Sequence, residues 1–405
     1  MNNIIYIGRF LPAKQLEIIS SNSRGRFGLS NHNFEMSIIN GLCQQEEIRL
    51  HCLSIPEVYS YPHNNRRLYT KAESYQYKNT SVYTIGFCNF ILIKEIWSTI
   101  SLSVNLIKLL FRSTDNQVDI IINTPNNNLL NAVKIAKLFT RKQITQTVII
   151  PDIPSMITAM DKQNRVKSFF LKYLNRSSMN KASNSDGLVL LTESMMNFIN
   201  KPLKYIVMEG IVDLNTMDVD DSDSIPNKEI ILYTGSLRKI FGVTNLLAAF
   251  KMIERKDVEL WICGSGDAKD IIEDEAKKDT RIKFWGLVDS RTALKMQHQA
   301  TVLVNPRTSD GEYTRYSFPS KTMEYLLSGK SVIINKLPGI PEEYYQYVYT
   351  PKDENIQSLY ECINDVLSMD TQIRRLRSSA GRQFIIENKN SLAQTSRILE
   401  MIRMY

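Results

Sequence analysis

Residues 231–250 read ILYTGSLRKIFGVTNLLAAF. An apolar run ends at Tyr233, a turn carries Gly235 and Ser236, two cations follow, and a helical pattern opens near Gly242. Residues 261–267, WICGSGD, repeat the plan with a strand, a glycine turn and the start of a helix. Outward from this pair, strands are predicted at 230–233, 258–262, 282–285, 301–305 and 332–335, with helices near 243–253, 268–278, 291–297 and 321–327. The first half has the same rhythm, with strands at 4–8, 48–55, 82–87, 118–123, 145–150, 187–191 and 205–208 and a helix at 128–139. Short, continuously apolar strands alternating with helices imply parallel sheets covered on both faces. The expected class is α/β, with two Rossmann-like doubly wound domains facing a central cleft. Their ligands belong outside the carboxyl ends of the strands. The expected division is an N-terminal domain over 1–213, a linker over 214–227, a second domain over 228–385, and a C-terminal helix over 386–405 for which a return onto the first domain is one arrangement. The linker assignment rests on the acidic run DVDDSDS at 218–224, closed by Pro226.

Composition narrows the function classes. A chain of 405 residues with 43% hydrophobic and 23% charged residues has ample material for globular cores, which excludes a disordered or collagen-like chain. Five dispersed cysteines without a C-x-x-C pair argue for a reducing, cytoplasmic setting rather than a disulfide framework or zinc site. The start, MNNIIYIG, has no basic n-region, so no signal peptide is expected. No stretch matches a spanning helix, because Lys94, Glu95 and Lys108 interrupt the nearest one. The net charge of +8 is uneven. Residues 1–215 hold 24 Lys and Arg against 15 Asp and Glu, and residues 216–405 hold 26 against 27. The first half is thereby expected to face something anionic.

Three stretches carry candidate chemistry. At 231–250, Gly235, Ser236, Arg238 and Lys239 lie where backbone N–H groups and two cations can meet an anion. At 261–267, Gly264, Ser265 and Gly266 would let backbone approach a ligand, but neither a P-loop lysine nor a third glycine follows. That argues against ATP hydrolysis and NAD binding. Residues 305–329, NPRTSDGEYTRYSFPSKTMEYLLSG, are the richest. Ser320 and Lys321 open a helix, and Glu324 lies one turn on, placed to accept hydrogen bonds from two vicinal ribose hydroxyls. The plainer alternative makes Ser320 a helix cap and Glu324 a first-turn acid.

On these residues the second half resembles the nucleotide-binding domain of family-four retaining glycosyltransferases with the GT-B fold, in particular bacterial members that build capsular and other surface polysaccharides. That family carries two glutamates separated by seven residues. The second aligns with Glu324, followed by YLLSGKSVI, and the first falls on Tyr316. The resemblance implies that Glu324 binds the donor ribose, that Arg238 and Lys239 take the diphosphate, and that Glu312 or Tyr316 contacts the donor sugar. Asp152, in VIIPDIP at 148–154, stands where the family has a histidine and is expected to orient or deprotonate the acceptor. Gly28, Asn31 and His32 are placed in an N-terminal loop near the cleft. The implied activity is transfer of a sugar from a nucleotide diphosphate-sugar to a lipid-linked saccharide, with retained configuration and no metal or other cofactor.

The four histidines show no metal spacing. Residues 167–181 interleave Phe169, Phe170 and Tyr173 with cations, as an interfacial helix would. Residues 90–111 are read as a buried core helix, with an apolar surface as the alternative. Without a nucleic-acid motif, the basic first half is assigned to a membrane surface, giving a protein peripheral at the inner face of the cell membrane. Two other readings are a catalytically silent glycosyltransferase-like partner subunit and a nucleotide-sugar epimerase on the same fold.

Overall fold

The computed structural model describes residues 2–11, 16–17, 29–58, 60–61, 65–90, 93–153, 165–214 and 228–404. The acidic run 218–224, Pro226 and Gly28 lie outside these residues. The chain forms two compact units, Met1–Ile211 with Ser391–Tyr405, and Val212–Asn390. The crossings therefore fall at 211/212 and 390/391 rather than at the expected 213/214 and 385/386.

The first unit holds β1 (Asn2–Gly8), β2 (Ile48–Ser54), β3 (Tyr69–Thr70), β4 (Glu73–Tyr77), β5 (Thr80–Thr84), β6 (Phe87–Cys88), β7 (Gln117–Asn123), β8 (Gln143–Ile150), β9 (Gly187–Leu190) and β10 (Lys204–Val207). Its helices include α1 (Leu29–Cys43), α2 (Lys94–Arg112), α3 (Asn127–Leu138) and α4 (Arg165–Ala182). Eight strands make one sheet in the order β10-β9-β8-β7-β1-β2-β5-β4. All pairs are parallel except β4 with β5, while β3 and β6 form a separate antiparallel ladder. The expected strand at 82–87 is thus divided between β5 and β6.

The second unit holds β11 (Glu229–Ser236), β12 (Val258–Ser265), β13 (Ile282–Gly286), β14 (Val302–Asn305) and β15 (Ser331–Ile334). Its helices are α5 (Val243–Lys251), α6 (Lys269–Lys278), α7 (Ser290–Gln299), α8 (Lys321–Leu327), α9 (Ile356–Ser368) and α10 (Thr371–Asn388). The five strands are all parallel, in the order β13-β12-β11-β14-β15. Alternate residues of β11 serve opposite faces. Ile231 and Tyr233 pack with α5, α6 and α9, whereas Ile230 and Leu232 pack with α8 and α10. In each sheet the first strand lies between two strands whose connections leave in opposite directions, β1 between β2 and β7 and β11 between β12 and β14. These are the switch points at which doubly wound sheets bind ligands.

The last helix, α11 (Ser391–Arg403), belongs to the first unit, where Ile398, Leu399, Met401 and Ile402 join the core formed by α1 and β1. Gly41 of α1 makes this contact close, since a Cβ there would stand 2.1 Å from the Ser391 carbonyl oxygen.

Helix α2 departs from the expected core helix. Leu102, Leu106 and Leu110 are buried, but Ile93, Ile96, Trp97, Ile100, Val104 and Phe111 are exposed. Ser98 and Ser103 share the buried side with these leucines, while the bulky apolar side chains recur along the exposed side, so a reading that turns the apolar side inward picks the wrong face. Among the described residues no helix is long and apolar enough to cross a membrane.

A Gly41→Ala substitution is expected to destabilise the first unit by about 1–3 kcal/mol, because backbone must shift to admit the methyl group. Calorimetric unfolding measures this, and an unchanged midpoint would contradict the close approach of α1 and α11.

Candidate functional site

In the second unit the candidate site is built on the carboxyl end of β11. Gly235 and Ser236, expected in a turn, continue the strand, paired with Gly264 and Ser265 of β12. The ladder runs this far because Gly264 adopts φ +142° and carries no Cβ, which would stand 1.8 Å from the Gly235 carbonyl oxygen. Gly266 likewise abuts the backbone of Leu237 and Arg238. The two glycines thus admit the backbone of the neighbouring strand end and turn. Leu237 N donates to Ser265 O at 2.9 Å, Ala268 N to Leu237 O at 2.9 Å, and Lys239 N to Asp267 Oδ1 at 2.7 Å. Ser236 and Lys239 remain exposed and Arg238 half-buried.

Behind this strand end lies a polar cluster. Tyr325 of α8 is fully buried, with its hydroxyl accepting from Thr234 N at 2.8 Å and donating to Thr234 O at 3.1 Å. Buried Gln297 of α7 donates through Nε2 to Thr234 Oγ1 at 3.2 Å and to Glu324 Oε1 at 2.5 Å. Lys321 Nζ lies 2.7 Å from both carboxylate oxygens of Glu324. Two of the expected residues, Lys321 and Glu324, are thus one ion pair at i, i+3 spacing. A cavity of about 230 Å³ opens beside them, lined by Leu214, Leu294, Gln297, His298, Glu324 and Arg382 among others. Gln297 Oε1 is buried with no hydrogen-bond partner, a polar atom in need of one. Ser320 is exposed and makes no side-chain cap bond, so its presence before α8 is not explained by capping.

Glu312 and Tyr316 lie on one 3-10 turn, with the Tyr316 hydroxyl 3.4 Å from Glu312 Oε1. Tyr316 is buried and Glu312 exposed. Arg307, immediately beyond β14 at the switch point, was not singled out by motif spacing. Its guanidinium lies 5.4 Å from the Phe241 ring and 4.7 Å from the Tyr313 ring and donates to Ser317 Oγ at 2.7 Å. Burial pulls its pKa down. Arg238 approaches the other side of this group, with its guanidinium 5.8 Å from Phe241. A cation two residues beyond a strand end was the signal available, but one of the rings that cover it, Phe241, comes from a distant segment, while Tyr313 lies six residues on.

In the first unit Asp152 follows β8. It lines a cavity of about 610 Å³ with Asn31, Thr124, Asn127, Asn131 and Ser178, among others. Desolvation raises the Asp152 pKa to about 6. Asn31 and His32 lie on helix α1, not in the expected loop. Asn31 reaches the cavity, whereas half-buried His32 is not among its lining residues, and burial lowers its pKa. Sequence reasoning also passed over Glu35. This buried carboxylate at the β1–β7 switch point accepts from Arg9 N at 2.8 Å, with further hydrogen bonds from Phe10 N and the Asn123 side chain, and desolvation raises its pKa to about 7. An acid one turn before the apolar Ile38, Ile39 and Leu42 was its only signal. Among the described residues no three His, Cys, Asp or Glu side chains gather as a metal ligand set.

The two sheets, each with its switch point, define the GT-B fold. Over the whole chain the structure is similar to sucrose-phosphate synthase from Thermosynechococcus elongatus (TM-score 0.60, 13% identity, 100% of this chain and 99% of the other). It is also similar to an α,α-trehalose-phosphate synthase from Burkholderia vietnamiensis (0.64, 9%, 100% and 99%) and to Anabaena HepE in complex with UDP (0.61, 13%, 100% of both). At such identities the likeness establishes the fold. In sequence, residues 228–369 match the family of glycosyl transferases group 1, which places β11, α7 and α8 inside the matched segment. An uncharacterized glycosyltransferase of Methanocaldococcus jannaschii is 28% identical over 120 residues, a match that spans 29% of each chain.

Two outcomes test this geometry. Tyr325→Phe leaves the Thr234 amide and carbonyl short of a partner, and an equilibrium unfolding loss of about 1–3 kcal/mol is expected. For Asp152 the folded pKa lies above the usual 3.8. Ionisation therefore costs stability as pH rises from the unfolded pKa through the folded one. Asp152→Asn should raise the free energy of unfolding relative to wild type above pH 6, by up to about 3 kcal/mol, and the gain should vanish below about pH 4. A pH-independent difference would contradict a desolvated carboxyl group.

Proposed function

We propose that the protein is a retaining glycosyltransferase that moves a sugar from a nucleotide diphosphate-sugar to a lipid-carrier-linked saccharide in bacterial surface polysaccharide assembly. The observation that carries the reading is the Glu324 carboxylate, held by Lys321 and Gln297 beside a cavity, inside the segment that matches glycosyl transferases group 1. An ionised carboxylate with lone pairs to spare, already oriented by two donors, is suited to accept from both hydroxyls of a ribose. The HepE complexes with UDP and with UDP and glucose, on the same fold, support a nucleotide-sugar donor.

In this reading Arg238, Lys239 and Lys321 meet the negative charge that develops on the leaving diphosphate, with Arg307 as a fourth cation at the switch point. Charge compensation by fixed cations is why we assign no catalytic metal or cofactor. Glu312 or Tyr316 contacts the donor sugar, and their shared 3-10 turn makes them one unit for that purpose. Gly235, Ser236, Gly264, Ser265 and Gly266 form the strand ends and turns against which the donor binds. Asp152, in its own cavity with Asn31, orients or deprotonates the acceptor hydroxyl, for which a carboxyl with a raised pKa is suited. The lipid-linked acceptor follows from the cationic first half of the chain, and with it a peripheral position at the cytoplasmic side of the membrane.

Calorimetry against UDP, GDP, CMP, ADP and dTDP, on wild type and Glu324→Ala, tests the donor assignment. One diphosphate should bind, and the substitution should weaken it by about tenfold or more, the worth of lost hydrogen bonds to a charged group. Binding of none, or an affinity that Glu324→Ala leaves unmoved, would favour the silent partner subunit. Consumption of donor without acceptor, yielding a sugar epimer, would favour the epimerase.

A further inference from the structure

We propose that the exposed face of helix α2, with the cationic shoulders of α3 and α4, is the surface by which the first unit docks on an anionic bilayer. This deepens the proposed function and rests on its lipid-linked acceptor.

The starting observation is the face itself. Ile93, Ile96, Trp97, Ile100, Val104 and Phe111 recur at helical spacing along one side of α2, with Ile96 at 62% and Phe111 at 69% exposure. Opposite them Leu102, Leu106 and Leu110 hold the helix to its unit. A stripe of large apolar side chains running the length of a helix and left in water is the kind of surface that marks an interaction site. Leu138 and Phe139 extend it at the end of α3, exposed at 77% and 63%. Lys142 Nζ ties that end to the end of α2, donating to Ser113 O at 2.9 Å and also to Asp115 O.

Charge identifies the occupant. The three helices lie side by side. Asn128 Nδ2 of α3 donates to Ser98 Oγ of α2 at 3.2 Å, and Asn127 Nδ2 donates to Leu174 O of α4 at 3.0 Å. Residues 94–112, 127–142 and 172–182 together hold ten Lys and Arg and a single acid, Glu95. Asp115 and Asp186 lie beside these segments, the latter 3.9 Å from Lys137, and leave the cations in excess. Apolar side chains, one of them a tryptophan, flanked by an excess of cations, match the boundary between acyl chains and anionic headgroups. Tyr173, exposed on α4, adds an aromatic of the interfacial kind. A protein partner would instead have to supply both an apolar ridge and a broad acidic flank.

The placement has a consequence for the acceptor. Ile96 and Ile100 of this face also line the 610 Å³ cavity that holds Asp152, as does Leu174 of α4. Docked in this way, the cavity shares a wall with the bilayer contact, so a saccharide whose lipid stays in the membrane reaches Asp152 without leaving it.

The test uses the full chain and vesicles of phosphatidylglycerol with phosphatidylethanolamine, with phosphatidylcholine vesicles as the neutral comparison. The variant Trp97→Ser with Val104→Ser and Phe111→Ser removes three exposed side chains that do not line the cavity. Wild type should sediment with the anionic vesicles and at least tenfold less with the neutral ones, and high salt should weaken the binding. The triple variant should bind anionic vesicles roughly a hundredfold less well. Its thermal unfolding and its nucleoside diphosphate binding should match wild type, which separates lost docking from lost folding. Absence of wild-type binding to anionic vesicles would overturn the proposal, as would binding that the three substitutions leave unchanged. A self-association or captured protein that the triple variant abolishes, without any vesicle binding by wild type, would reassign the face to a protein interface. Each of these results leaves the donor reading to be judged by nucleotide binding alone.

Discussion

The organisation of the second unit depends on how Thr234 is satisfied. It lies near the end of β11, where the ladder is about to give way to a loop, and its backbone and side chain must find partners in a buried setting. Tyr325 supplies both a donor and an acceptor to that backbone, and Gln297 reaches the Thr234 hydroxyl. The same Gln297 amide then holds Glu324. Helices α7 and α8 are thus tied to the switch-point strand by one polar chain, and the candidate donor-binding carboxylate is its last member. Because each buried bond is costly to leave unmade, the carboxylate is positioned by the same interactions that hold the helices in place.

A second constraint acts at the neighbouring strand end. The turns after β11 and β12 approach until only glycine fits at Gly264 and Gly266, and two backbone hydrogen bonds and one from Lys239 N to the Asp267 carboxylate lock them. Rigidity here holds Arg238 and Lys239 at the rim of the sheet. Arg307 comes from the other side of β11 and shares the Phe241 ring with Arg238. Cations from both flanks of one strand end suit an anionic group better than any one motif does, which is why the site is described by its geometry rather than by its glycines.

Much of the fold was legible in the sequence because local and global requirements coincide. Strands such as β7 and β8 carry continuous apolar runs, 120–122 and 148–150, as parallel strands covered on both sides do, and α8 begins and ends at 321 and 327 as expected because Pro319 precedes it and Gly329 follows. Within the site, the Lys321–Glu324 pair was legible for the same reason, since i, i+3 spacing on a helix brings side chains together. What was not legible depended on distant partners. The strand character of Gly235 and Ser236 rests on β12, the burial of Arg307 in part on Phe241 from another segment, and the desolvation of Glu35 on the packing of α1 over β1. The exposed face of α2 was hidden because its bulky apolar side chains recur along one side, which a reading of the sequence turns toward the core, whereas the structure buries the leucines together with Ser98 and Ser103.

Hydrogen exchange with and without a saturating nucleoside diphosphate tests the central claim most directly, since it reports where the ligand acts. The account predicts slowed exchange in the turn after β11 and across α8, centred on 235–239 and 320–328, with little change in the first unit. Slowed exchange confined to the first unit, or none with any diphosphate, would contradict a donor site built on Glu324.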